Sequence, residues 1–120
     1  MKILYCLRRL PALSHQDFLR HWFEVHAPLV RAHQRDLRIS RYVQVHTDHG
    51  PFLEKLRAFR GSPEPYDGVA EIWYESRAAL ETLGRDPAGR SASRLLYEDE
   101  QRFVDLPRSP IWIGQEHTIL

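Results

Sequence analysis

Residues 14–30 read SHQDFLRHWFEVHAPLV. Phe18, Trp22, His26 and Val30 recur there at steps of four, with Leu19, Phe23 and Leu29 flanking the stripe. That is the spacing of an amphipathic helix. Ser14, with Asp17 three residues on, forms a capping-box start in which Asp is a weaker partner than Glu. Pro28 falls inside the pattern; it either kinks or ends the helix near Val25, or opens a second helical stretch as its first residue. His26 sits on the face that should be apolar, so either a structural partner or a ligand must satisfy it.

The flanking segments fix the order of elements. Residues 2–8, KILYCLR, make a short β-rich run, and RISRYVQVHTD (38–48) alternates as a strand. The Gly- and Pro-rich connection 49–68 carries Phe52, Leu56 and Phe59 at helical spacing, which predicts a short helix inside it. VAEIWY (69–74) is the third strand, and Ser76 caps a brief helix over 77–83. Asp86 before Pro87 is an N-cap followed by a first-turn proline, opening a helix predicted to run to about Asp105. SPIWIGQEHTI (109–119) is the fourth strand. The order β-α-β-β-α-β, with a small extra helix, is the ferredoxin-like pattern: an α+β domain over residues 1–120 with a four-stranded antiparallel sheet.

A chain of 120 residues supports one core. With 42% hydrophobic and 28% charged residues and a net charge of +1, neither nucleic acid nor an anionic membrane is the expected partner. Arg31, Arg35, Arg38 and Arg41 read as a solvated rim. No segment reaches the ~18 apolar residues of a membrane span, and the opening KILYCLRR is broken too soon by charge to be a signal peptide. The single cysteine, Cys6, excludes an internal disulfide and fits a reducing, cytoplasmic setting.

Side chains alternate across a sheet, so each strand presents two sets. Tyr42, Gln44 and His46 oppose Val43 and Val45; Val69, Glu71 and Trp73 oppose Ala70, Ile72 and Tyr74. Neither set is plainly solvent-like, so the face without helices calls for a cover, and a second copy of the same sheet is the economical one. Gln44, His46, Glu71 and Trp73 form a polar-aromatic group. Beneath the helices, with His26 over it, that group would line a small-molecule pocket; on the other face it would sit inside the dimer. Both assignments are open to the sequence.

LRRLPALSHQDFLRHWFEVHAPLV (7–30), RYVQVH (41–46), YDGVAEIWYES (66–76), YEDEQRFVD (97–105) and SPIWIGQEH (109–117) together resemble the EthD-like proteins of the dimeric α/β-barrel superfamily. The resemblance implies a homodimer paired through the sheets, with a cavity between sheet and helices in each subunit. Relatives include dehydratases of aromatic polyketides, and methylmuconolactone isomerases have a similar fold. It also points to His26 and His46 as pocket residues. The cysteine that some lactone isomerases use is not evidently supplied by Cys6.

A histidine in a semi-apolar cleft takes and returns protons near neutral pH, as dehydration or isomerisation requires. The expected catalytic set is His26, assisted by His46 and Glu71, against the plainer reading of Glu71 as a salt-bridge acceptor. The expected substrate-binding set is Trp22, Tyr42, Gln44 and Trp73, of which Trp22 reads first as core. Asp99, Glu100 and Asp105 read as a solvated helix face. No HxxxH or facial triad predicts a metal, since His21 and His26 are five apart, a spacing an α-helix does not bring to one face. No haem, phosphate loop or nucleophile elbow is marked, and no cofactor is expected. The ligand is expected to be an aromatic, quinone-like or lactone molecule, handled by a dehydratase or isomerase or merely held by a carrier.

Overall fold

The computed structural model describes residues 1–120. Strand β1 (Lys2–Leu7) leads into helix α1 (His15–His21). A π-helical turn (Trp22–His26) joins it to α2 (Ala27–Ala32), and α3 (Gln34–Leu37) leads to β2 (Ile39–His46). Helix α4 (Pro51–Arg60) lies in the long connection to β3 (Gly68–Tyr74). Next come α5 (Arg77–Thr82), α6 (Pro87–Glu100) and the short strand β4 (Ile111–Gly114). The sheet is antiparallel in the order β2-β3-β1-β4, the ferredoxin-like arrangement.

The π turn explains the stripe. An α-helix advances about 100° per residue, so steps of four overshoot by about 40° each and would carry Val30 about 120° away from Phe18. The chain corrects this by widening one turn: the Ala27 N–H bonds to the Trp22 carbonyl, five residues back. Phe18, Trp22, His26 and Val30 are consequently all buried. Pro28 falls in the first turn of α2, where its missing N–H costs nothing. The helix therefore neither ends nor breaks at Val25; it is wider by one residue. At its start the Ser14 hydroxyl accepts from the Asp17 N–H at 3.1 Å, while the Asp17 carboxylate pairs with Arg20 instead of closing the box.

The caps at Ser76 and Asp86 form as the sequence predicts: the Ser76 hydroxyl accepts from Ala79 N–H and the Asp86 carboxylate from Gly89 N–H. Helix α6 stops at Glu100, short of Asp105, and β4 is shorter than its alternating run. Helix α4 forms too, but none of its residues is buried, and Phe52 and Phe59 stand exposed.

Register settles which side chains lie beneath the helices. Tyr42, Ile72, Ile3 and Ile113 form one cross-sheet row, and Gln44, Ala70, Tyr5 and Ile111 the next. Tyr5, Leu7 and Ala70 pack with Phe18, Trp22, Phe103 and Val104 in the main core. A second cluster, Val30, Leu37, Ile39, Leu83 and Ala92, closes the other end. The opposite face carries Val43, Glu71, Leu4 and Trp112 in one row and Val45, Val69 and Cys6 in another. The grouping of Gln44 and His46 with Glu71 and Trp73 is thus corrected. Val43, not Gln44, is opposite Glu71, so the two pairs lie on opposite faces.

Gly68 lets the first helix reach the sheet. A Cβ at this position would lie 2.5 Å from Trp22 Cζ3 and 2.7 Å from the Val45 carbonyl. Neither a buried indole nor a strand carbonyl moves freely. Gly68→Ala is expected to cost roughly 1–3 kcal/mol as an overpacked core does, read as a lowered urea midpoint with a changed indole emission.

Candidate functional site

Three groups meet at one carboxylate of α6: buried His26 from the π turn, half-buried His21 from the end of α1, and exposed Arg102 just after α6. Asp99 is 1% exposed. Its Oδ2 lies 2.8 Å from His26 Nδ1, and its Oδ1 lies 2.9 Å from His21 Nε2 and 3.3 Å from Arg102 Nη1. Burial alone would raise the Asp99 carboxyl, but the hydrogen bonds and charges of His26 and His21 outweigh it and hold it below the usual carboxylate range. For His26 the balance is reversed: burial lowers the imidazole more than Asp99 raises it. An ionised Asp99 only accepts, so neutral His26 carries its proton on Nδ1. Nε2 is left as a lone-pair acceptor with no hydrogen-bond partner in the chain.

His26 lines an inner chamber of about 180 Å³ between sheet and helices. Fifteen of its eighteen lining residues are hydrophobic, so a charge inside is poorly solvated. Trp22, Tyr42 and Tyr74 form part of the wall, as does Glu100. Burial, then the neighbouring Asp99 charge, push the Glu100 carboxyl up to about 7, with the Tyr5 hydroxyl pulling the other way. No cation pairs with Glu100 among the chain's ion pairs.

A second hollow, an open groove of about 570 Å³ along β2, is lined by Phe23, Arg31, Tyr42, Gln44 and His46 among others. Val30, Ile39 and Tyr42 border both spaces. Tyr42 is the hub of the wall. Its hydroxyl accepts from Trp22 Nε1 and from Gln44 Nε2, each at 3.1 Å, which leaves its own O–H to donate. Burial pushes the Tyr42 phenol up to about 12 against the pull of those two donors. Gln44 also donates to the Trp22 carbonyl and accepts from His46 Nε2 at 2.8 Å. The His46 ring stacks on Trp22 at 4.9 Å, and burial, with the His15 charge, lowers its pKa.

Of the residues singled out in the sequence, His26, Trp22 and Tyr42 meet at the chamber, and Gln44 and His46 lie in the groove outside it. Glu71 and Trp73 are on the far face of the sheet. There Lys2 Nζ bonds Glu71 at 2.5 Å and lies over the Trp73 ring. Cys6 is on that face as well, and burial pushes its thiol up, so it does not line the chamber. Asp99 and Glu100, assigned by sequence to a solvated face, are the residues that were missed. Their signal was the run Ala92, Leu96, Asp99, Phe103 at steps of three and four. The spacing of His21 and His26 was also misjudged: the π turn brings both to Asp99. They share a carboxylate, and no group of three or more His, Cys, Asp or Glu is placed to hold a metal ion. The other buried carboxylate, Asp67, is held by Arg9 and His15, and ties the loop before β3 to the end of β1.

An antiparallel ferredoxin-like sheet with a histidine–carboxylate pair in a chamber beneath its helices defines a small α+β domain of the ferredoxin-like class. The chain belongs to the EthD family: the EthD domain matches residues 10–107. It is similar along nearly its whole length to an EthD family protein from Bacillus halodurans, with a TM-score of 0.62, 20% identity and coverage of 98% of this chain and 99% of that one. It is also similar to HapK from Hahella chejuensis, with a TM-score of 0.57, 15% identity and coverage of 100% and 98%. At such identities the likeness is one of fold. No curated protein matches the sequence.

The raised Glu100 pKa has a consequence for stability. Between its unfolded value of 4.5 and about 7 the folded state holds a proton that the unfolded state has lost, so stability falls as pH rises through this window. Above it the penalty is constant. Glu100→Gln removes the penalty, so the variant should melt above wild type at pH 8, with the gap closing toward pH 4 in thermal scans. Equal melting temperatures at pH 8 would contradict the assignment.

Proposed function

We propose that this EthD-family protein is a dehydratase or isomerase that acts on an aromatic, quinone-like or lactone molecule without a cofactor, with His26 as its general base and acid. One observation carries this reading: the buried 2.8 Å contact between His26 Nδ1 and Asp99, at a chamber with apolar walls. A carboxylate behind an imidazole fixes its tautomer and stabilises the imidazolium that forms when Nε2 takes a proton. In dehydration, Nε2 takes a proton from a C–H bond and the electron pair forms the new double bond. The proton then goes to the departing hydroxyl, which leaves as water. In isomerisation the same proton is returned to another carbon. Tyr42 and Trp22 supply wall and hydrogen bond to the ligand. Gln44 and His46 contact its outer end, so His46 is a binding group rather than a second base. With Glu71 paired to Lys2 across the sheet, its assistance is not part of this mechanism.

A carrier that merely holds a hydrophobic molecule is the alternative, and it needs no base. Titration of phenols, quinones and lactones, followed by indole fluorescence and mass spectrometry, separates the two. Turnover should appear in wild type, vanish in His26→Ala and drop by on the order of 10²-fold or more in Asp99→Asn, which loses the tautomer-fixing acceptor. Binding without turnover, unchanged in His26→Ala, would make the protein a carrier.

The proposal includes a homodimer paired through the open sheet face, in a cytoplasmic setting. Val45 and Trp112 are each nearly half exposed on this face, beside Leu4, Val43 and Val69, and an apolar patch of that kind calls for a cover. No helix is long and apolar enough to cross a membrane. Val45→Lys with Trp112→Glu is expected to halve the mass measured by light scattering while leaving the circular dichroism spectrum unchanged. A wild-type monomer at tens of micromolar would remove this part of the proposal.

A further inference from the structure

We propose that Glu100 is a second proton-transfer group of the chamber: in its neutral form it donates to the oxygen of a ring-sized cyclic carbonyl substrate while His26 works on the carbon. The inference rests on the reading of His26 as the base and adds to it the acid and the substrate class.

The geometry supports it in three ways. First, Glu100 and His26 line the same chamber, and the Asp99 that holds His26 is the residue next to Glu100 in α6. Base and acid are thereby fixed by one turn of one helix. Second, Glu100 has no cation. The titratable groups around it are Tyr5 on β1, Tyr42 on β2, Tyr74 on β3, His26 on the π turn and Asp99 beside it. The tyrosines are held neutral by burial, the histidine is pushed toward its neutral form, and Asp99 is negative. Burial and the Asp99 charge favour a protonated Glu100 and outweigh the opposing hydrogen bond from Tyr5, so that a pKa of about 7 keeps much of the acid form at neutral pH. Third, the chamber suits one ring. At about 180 Å³ it is close to cavities of about 150 Å³ that take up benzene. A larger substrate would extend past Val30, Ile39 and Tyr42 into the outer groove.

The step balances. His26 Nε2 takes a proton from the carbon next to the carbonyl, or from the far end of an enone. The electron pair moves into the ring and onto oxygen, and Glu100 delivers its proton there, giving a neutral enol. On return, Glu100 recovers the enol proton and His26 delivers its own to the other carbon. The product is the double-bond isomer, with no net proton change. An enol formed without an acid in this apolar chamber would be an unpaired enolate beside Asp99, a far costlier species.

Cyclohex-2-enone labelled at its carbonyl carbon is the probe, and its carbonyl stretch in difference infrared spectra is the measurement. The wild-type protein at pH 6 should show a bound band shifted to lower frequency than the enone in buffer. The shift should persist in His26→Ala and in Tyr5→Phe, disappear in Glu100→Leu, which has no donor, and fade in wild type as pH rises past about 7. An identical band in Glu100→Leu, or no bound band in wild type, overturns the proposal, as does loss of the shift in Tyr5→Phe alone. Deuterium uptake by the same probe in heavy water, followed by mass spectrometry, should drop at least tenfold in both His26→Ala and Glu100→Gln. Uptake lost only in His26→Ala leaves the base in place and removes Glu100 as the acid. A band that depends on Glu100 with no uptake in any sample keeps Glu100 as the donor and removes His26 as the base.

Discussion

The site depends on one close approach: the indole of Trp22 lies against a backbone that has no side chain at Gly68. That contact brings the first helix down onto the sheet, and every polar group of the pocket is placed from it. The Trp22 N–H fixes the Tyr42 hydroxyl, its carbonyl holds Gln44, and its ring carries His46. Since a core packs at crystal-like density, the seat of one large residue fixes its neighbours within fractions of an ångström, which is the tolerance that proton transfer demands. Trp22 is therefore core and pocket wall at once.

The π turn is the second constraint, and it follows from the first. A regular α-helix anchored at Phe18 and Trp22 would swing residue 26 away from the chamber. The one-residue widening returns it, and brings His21 to the same carboxylate. Such widened turns are strained relative to an α-helix and tend to occur where function needs them. Here the widened turn also relieves Pro28, so a single irregularity answers both a steric and a chemical demand.

The element order and both main helix caps were legible in the sequence, because caps and hydrophobic periods are local signals. His26 stood out for the same reason: it is polar at an apolar step. The grouping of Glu71 and Trp73 with Gln44 and His46 failed because alternation gives parity within a strand but not register between strands. Pairing Val43 with Glu71 in place of Gln44 sends half of the group to the far face. Asp99 and Glu100 were passed over because charges near the end of a long helix are usually solvated. The hydrophobic stripe running through their positions was the overriding signal. A five-residue spacing separates His21 from His26 on an α-helix, but the chain forms a π turn there, which no local signal in the sequence marks.

Asp99 and Glu100 are adjacent carboxylates with opposite tendencies, and the difference lies wholly in their surroundings. Asp99 meets donors from His26, His21 and Arg102; Glu100 meets phenol hydroxyls and apolar walls. Pairs of titratable groups pushed apart in this way divide acid from base chemistry in many active sites. The two carboxyls are also coupled, for the charge on Asp99 that orients His26 is one of the causes holding the proton on Glu100. Neutralising Asp99 would weaken the base by releasing its tautomer, and would weaken the proton's hold on Glu100 as well. An imidazole with no partner on Nε2 and a carboxyl with no cation are thus both tied to one buried charge, and it is this coupling on which the proposed division of base and acid rests.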